Sequence, residues 1–179
     1  EELQKQNSIL TIEKDSLGRN LSETQMIVTQ LTTTNTSLSQ KVTVASLLIP
    51  SNIEISGVRN KSNGKEDETS RASKVQYLNV CFDVPENKIA DAGSKTFYVR
   101  ILSPEGSILA VQDQGSGTFT GVETNEQMQY TTTATMDYQQ QSKNVCAKWN
   151  QNTPFAKGKY NAEIYQDGYL IGKQSFEFK

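Results

Sequence analysis

Apolar residues return at every seventh place over the first forty-five residues and at every second place after that. With Leu3 set at the d position of a heptad, the d places hold Leu3, Leu10, Leu17, Thr24, Leu31, Leu38 and Ala45. The a places hold Asn7, Lys14, Leu21, Val28, Asn35 and Val42. Five of the seven d residues are leucine, and the register runs for six heptads without a slip. That exceeds the three or four heptads that make a coiled-coil signal. No proline precedes Pro50. The pattern predicts one continuous helix with a narrow a/d seam. At 1.5 Å per residue it is about 65 Å long. A single amphipathic helix packed on its own domain is the alternative, but a rod of that length outruns a domain of this size.

The stretch TQLTTTNTSLSQKV, Thr29 to Val42, has the composition of a Thr/Ser linker. Leu31 and Leu38 nevertheless keep the d phase, and Asn35 takes the a place between them. The stretch therefore reads as rod, and its threonines, mostly off the seam, cost only helix propensity. Leucine at d favours a parallel dimer, and asparagine at a fixes register at a cost in stability. We expect a parallel homodimer whose interface is Leu3, Asn7, Leu10, Lys14, Leu17, Leu21, Val28, Leu31, Asn35, Leu38 and Val42. A trimer is the second arrangement the pattern allows.

From Pro50 onward, short alternating runs are separated by turn signals. Leu78, Val80, Phe82 and Val84 share one phase, as do Phe97, Val99 and Ile101, and then Val145, Ala147 and Trp149. Runs at Asn52–Val58, Ile108–Val111, Gly117–Val122, Met128–Tyr138, Tyr160–Tyr165 and Leu170–Phe178 complete eight or nine strands. Close strand spacing without helical periodicity predicts an all-β antiparallel sandwich. The expected organisation is an oligomerisation helix over 1–46 and a β-sandwich over 50–179. Pro104-Glu-Gly106 reads as a hairpin turn pairing Ile101 with Leu109 and Val99 with Val111. Tyr165-Gln-Asp-Gly-Tyr169 reads as a three-residue loop pairing Ile164 with Leu170 and Ala162 with Gly172; a two-residue Asp-Gly loop would instead pair Ala162 with Lys173, a poorer match. Asn60–Lys74 reads as a mobile loop, and Pro85–Gly93 as an irregular connection with one helical turn.

Composition removes options more than it adds them. The chain has no histidine, which takes away the commonest general base and metal ligand. Its net charge is -2, and the longest acidic cluster, Lys65 to Glu68, is short and mixed. No nucleic-acid partner is expected. No run of about 18 apolar residues exists to span a membrane. Asp83, Glu86, Asp91 and Asp137 are not spaced as a calcium loop or a catalytic dyad. No catalytic residue, cofactor or metal site is read. The chain opens on Glu1-Glu2-Leu3, already inside the heptads, so we expect it to be part of a longer protein. The preceding segment would then carry any signal or anchor.

Cys81 and Cys146 each oppose the core phase of their strands. If the strands are neighbours the pair can form a cross-strand disulfide; otherwise they are two unlinked thiols. Tyr77, Tyr98, Tyr165 and Tyr169 also fall off the core phase, as a sugar- or protein-binding platform or as cover for the sandwich's outer face.

Ser51-Asn-Ile, Leu78-Asn-Val-Cys-Phe, Pro85-Glu-Asn, Tyr98-Val-Arg-Ile, Pro104-Glu-Gly, Gly158-Lys-Tyr and the ending Tyr165-Gln-Asp-Gly-Tyr-Leu-Ile-Gly carry a resemblance. With them, Ser51–Lys179 resembles the C-terminal, immunoglobulin-like domain of uncharacterised envelope proteins of the Bacteroidota, in which a coiled coil precedes the domain. The resemblance implies a cell-envelope protein, periplasmic or membrane-tethered, and brings no catalytic residue with it. The function expected is a structural scaffold, not an enzyme, whose coil displays the sandwich. The alternative is an adhesion module made bivalent by the coil, with an envelope protein or glycan as partner.

Overall fold

The computed structural model describes all of residues 1–179. The chain divides into two units, Glu1–Ala45 and Ser46–Lys179.

The first unit is one α-helix, α1 (Glu2–Ala45), and none of its residues is buried. It is neither broken nor kinked by proline, and its threonines fit by satisfying themselves. Thr11, Thr24, Thr29, Thr32, Thr33, Thr36 and Thr43 each donate their hydroxyl to the carbonyl four residues back. A back-bonded threonine satisfies its hydroxyl within the helix. No helix is long and apolar enough to cross a membrane.

The second unit is a two-sheet antiparallel sandwich. Its strands are β1 (Ser51–Asn60), β2 (Glu66–Glu68), β3 (Tyr77–Val84), β4 (Gly93–Leu102), β5 (Gly117–Thr120), β6 (Gln127–Tyr130), β7 (Thr132–Tyr138), β8 (Lys143–Trp149), β9 (Gly158–Gln166) and β10 (Tyr169–Phe178). One sheet has the order β2-β1-β3-β8, the other β10-β9-β4-β7, and β5 and β6 form a separate hairpin. Lettered as in immunoglobulin domains, β1, β3 and β8 are A, B and E, and β10, β9 and β4 are G, F and C, with β7 switched to the edge beside C. This is an immunoglobulin-like sandwich.

Burial alternates along each central strand, as the pleat demands. The buried set includes Leu78, Val80, Phe82 and Val84 from β3, and Phe97, Val99 and Ile101 from β4. Val145, Ala147 and Trp149 from β8 join Tyr160, Ala162 and Ile164 from β9. These are the phases expected from the sequence. Leu48 is also fully buried, and its N–H donates to Gln166 Oε1 at 2.9 Å. Asn87 Nδ2 donates to the Leu47 carbonyl at 3.3 Å, so the chain is anchored as it enters the sandwich.

Four local expectations are corrected. The turn after β9 has two residues, not three: Tyr169 pairs with Gln166 around Asp167-Gly168. Both turn residues have positive φ, as a type I′ turn requires. A bulge at Ile171 then shifts the register so that Gln174, not Gly172, faces Ala162. At Pro104-Glu-Gly106 the register is as expected near the turn, where the Leu109 N–H donates to the Ile101 carbonyl at 2.8 Å. The pairing ends there, because β4 gives Val99 to Thr132 of β7 and Ile164 of β9 instead of Val111. Residues 60–74 are not a featureless loop but hold β2 and a 3-10 turn, Ala72–Lys74. Residues 85–93 contain no helical turn; Asn87 Oδ1 accepts from the Ile89 and Ala90 N–H groups instead.

The run Met128–Tyr138 is split at Thr131, which is fully buried. Its N–H donates to Val99 O and its hydroxyl accepts from Ile101 N–H, so it closes the gap between β6 and β7 onto β4.

Tyr160, at the start of β9, donates its hydroxyl to Ala156 O at 2.8 Å. This is the tyrosine corner of immunoglobulin-like domains. Burial raises the phenol's pKa. Tyr160→Phe keeps the ring and removes only this bond, so we expect a loss of about 1 to 2 kcal/mol in denaturant unfolding.

Candidate functional site

Three features are candidates for function: the stripe along α1, the disulfide-bearing face of the β2-β1-β3-β8 sheet, and the outer face of the β10-β9-β4-β7 sheet.

Along α1, Leu3, Leu10, Leu17, Leu21, Leu31 and Leu38 are all more than half exposed, as are Val28 and Val42. Asn7, Lys14 and Asn35 share that stripe and are exposed too. Thr24, the one threonine at a d place, donates its hydroxyl to Asn20 O at 2.7 Å. Ile9, Ile12, Met26, Ile27 and Val44 are exposed apolar residues off the a and d places.

On the first sheet, Cys81 of β3 and Cys146 of β8 stand directly opposite each other and are joined, with Cα atoms 4.1 Å apart. The disulfide lies on the outer face, because Val80, Phe82, Val145 and Ala147 take the core side. Beside it, the Asp83 carboxylate accepts from Asn144 Nδ2 and Asn52 Nδ2, both at 2.8 Å. These bonds, that from Asn144 foremost, hold its pKa below the usual carboxylate range. Lys148 Nζ lies 2.9 Å from Glu66 and 5.1 Å from the Tyr77 ring centre.

On the second sheet Tyr98 and Tyr165 do not form an open platform; of the two arrangements the sequence allows, they take the covered one. Tyr98 and Tyr165 are cross-strand neighbours on the outer face. The β5–β6 hairpin folds over them: Phe119 stacks on Tyr98 at 4.9 Å and meets Tyr165 at 5.0 Å, and Tyr130 lies 5.1 Å from Tyr98. The hairpin is latched at both ends. Val122 N–H donates to Gly168 O at 3.0 Å, and Arg100 Nε donates to Gln129 O at 2.8 Å. A side chain on Gly168 would sit 2.5 Å from Thr120 O, so the latch requires glycine. Tyr77 and Tyr169 lie elsewhere and do not join this cluster, and Tyr169 packs against the main core.

Next to the hairpin, Glu163 Oε2 accepts from Arg100 Nη1 at 2.8 Å and from the Tyr165 hydroxyl at 3.0 Å, while Oε1 lies 3.1 Å from Lys173 Nζ. Burial, and after it the Glu163 charge, pushes the Tyr165 phenol up. Beside this network lies an open groove of about 590 Å³ whose lining includes Leu102, Asn161, Glu163, Lys173, Gln174 and Ser175. Glu86 pairs at 3.8 Å with Lys88, and Asp137 accepts from Gln139, so these carboxylates and Asp83 have separate partners. Sequence reasoning missed Phe119, Tyr130 and the Arg100–Glu163 pair. The alternation of Phe119 with Thr118 and Thr120 was their one local signal.

The chain belongs to the DUF8428 family, a domain of unknown function, which matches residues 51–179. No curated protein matches it. Among solved structures, an immunoglobulin-like protein from Pseudomonas aeruginosa is similar at 13% identity and TM-score 0.36, over 73% of this chain and 94% of that one. The sensor domain of the anti-sigma factor RsgI4 of Pseudobacteroides cellulosolvens is similar at 9% identity and TM-score 0.35, over 72% and 95%. The alkylpurine DNA glycosylase AlkC of Pseudomonas fluorescens, bound to DNA containing an abasic site analog, gives 9% and 0.35 over 72% of this chain. The chain spans 31% of AlkC's length.

The disulfide closes a loop of 65 residues. Replacing both cysteines by serine is expected to cost about 4 kcal/mol, by the chain-entropy relation, in denaturant unfolding. Asp83 generates a pH dependence. Its folded pKa is lowered, so its contribution is complete above the ordinary aspartate value of about 3.9 and is lost as pH falls through the lowered value. Unfolding midpoints of the parent and Asp83→Asn should differ by a constant amount through neutral pH and converge below about pH 4.

Proposed function

We propose that this chain is a non-enzymatic scaffold module in which α1 joins two copies as a parallel coiled coil, each copy carrying the immunoglobulin-like sandwich that follows its helix. The observation that carries this reading is the row of leucines at d, all exposed on a helix that buries none of its residues. Leucine left in water costs about 1.5 to 3 kcal/mol per side chain relative to burial, and pairing with the same stripe on a second copy removes that cost.

The disulfide supports a location outside the reducing cytoplasm, in keeping with the cell-envelope setting implied by the sequence resemblance. Joining two copies would also multiply any weak affinity of the sandwich. The groove at Asn161 and Lys173 favours a second reading, a glycan- or peptide-binding module, for which a glycan array probed with the intact oligomer is the direct assay.

The scaffold reading is tested by replacing Leu17, Leu31 and Leu38 together with polar residues. Light scattering should report the mass of a dimer for the parent and of a monomer for the variant, with the β-sheet circular dichroism unchanged. A dimer that survives would move the interface to the sandwich.

A further inference from the structure

The two charged residues Glu13 and Lys14 are adjacent in the chain, exposed, and without an ion pair of their own. Lys14 is the only charged residue at an a or d place. Its neighbours one helical turn away are Leu10, Thr11, Leu17 and Gly18, and those of Glu13 are Ile9, Leu10, Ser16 and Leu17. None can answer either charge. Around the seam, the e places carry no charge at all, and the g places carry only Glu13 and Lys41.

In a parallel coiled coil a side chain at a enters a hole on the facing helix, and one wall of that hole is the g residue just before the facing a. For Lys14 that residue is Glu13 of the second copy. A g residue otherwise reaches the e place five residues on in the facing chain, and for Glu13 that place is Gly18, which has no side chain to compete.

We propose that Lys14 of each copy pairs with Glu13 of the second copy, and that these two crossed contacts set the alignment of the coil. The proposal rests on the coiled-coil reading above and names what specifies its partner. Other alignments lose the contact. A slip of one heptad puts Gln6 or Asn20 beside Lys14. A fully overlapped antiparallel pair puts it beside the Thr-rich second half, and no carboxylate lies between Thr24 and Ala45. Two lysines facing each other at one layer would repel, so Glu13 also makes the in-register layer tolerable.

The test uses the full chain. Dissociation constants are measured by sedimentation equilibrium at low salt for the parent, Lys14→Glu, Glu13→Lys and the double exchange Glu13→Lys/Lys14→Glu. Each single change turns two attractions into repulsions and should weaken the dimer about tenfold. The double exchange restores opposite charges and should return the constant to within about threefold of the parent. Mixed in equal amounts, the two single variants should form the heterodimer in preference to either homodimer. A parent dimer that is indifferent to the single changes, or a double exchange as weak as the singles, overturns the pairing and leaves the coil standing. A parent that stays monomeric overturns the coil and the pairing together.

Discussion

The sandwich depends on one contact repeated across its middle: alternate residues of β3 and β8 meet alternate residues of β4 and β9. Phe82 and Phe97 mark its centre, edge to face at 5.3 Å. Each strand can give only one face to that contact, so everything chemical is left on the outside. The disulfide, the Asp83 cluster and the Arg100–Glu163 pair all occupy outer faces for this reason. One outer face kept too many rings to leave in water, and the β5–β6 hairpin covers Tyr98 and Tyr165 with Phe119 and Tyr130, a satellite core.

The two units solve burial in opposite ways. The sandwich finds partners for its apolar residues within its own sheets, and its edges are managed locally. Lys179 N–H donates to Ser70 O at 2.7 Å while Lys179 O accepts from Ala72 N–H at 3.0 Å, which ties the last strand into the 70–72 segment. The helix has no such resource. Isolated helices are marginal in water, and packing of an amphipathic face supplies most helical stability.

Much of the fold was legible because the decisive signals are local. The heptads from Leu3 to Ala45 mark a helix without reference to anything distant, and the phases of Leu78–Val84 and Val145–Trp149 name the core face of β3 and β8 directly. What was illegible depended on distant residues. A two-residue Asp167-Gly168 turn with regular pairing would set Ala162 against Lys173, and only the bulge at Ile171, where β10 passes Pro50 and Ile53, undoes that mismatch. The tyrosines of the outer face were visible, but their cover was not, since nothing local brings Phe119 to Tyr98. The cysteines' phase was readable, whereas their union required β3 and β8 to be neighbours, which is a matter of topology.

The position of the disulfide has a mechanical corollary. Pulled from its two ends, the chain cannot extend between Cys81 and Cys146 while the bond is intact. The 65-residue separation stays a closed ring. At about 3.4 Å per residue, roughly 220 Å of contour length is withheld from stretching. The strands outside the ring, β1, β2, β9 and β10, are the ones that can peel away, so under tension the domain would lengthen in a short step and keep β4 to β7 inside the closed loop.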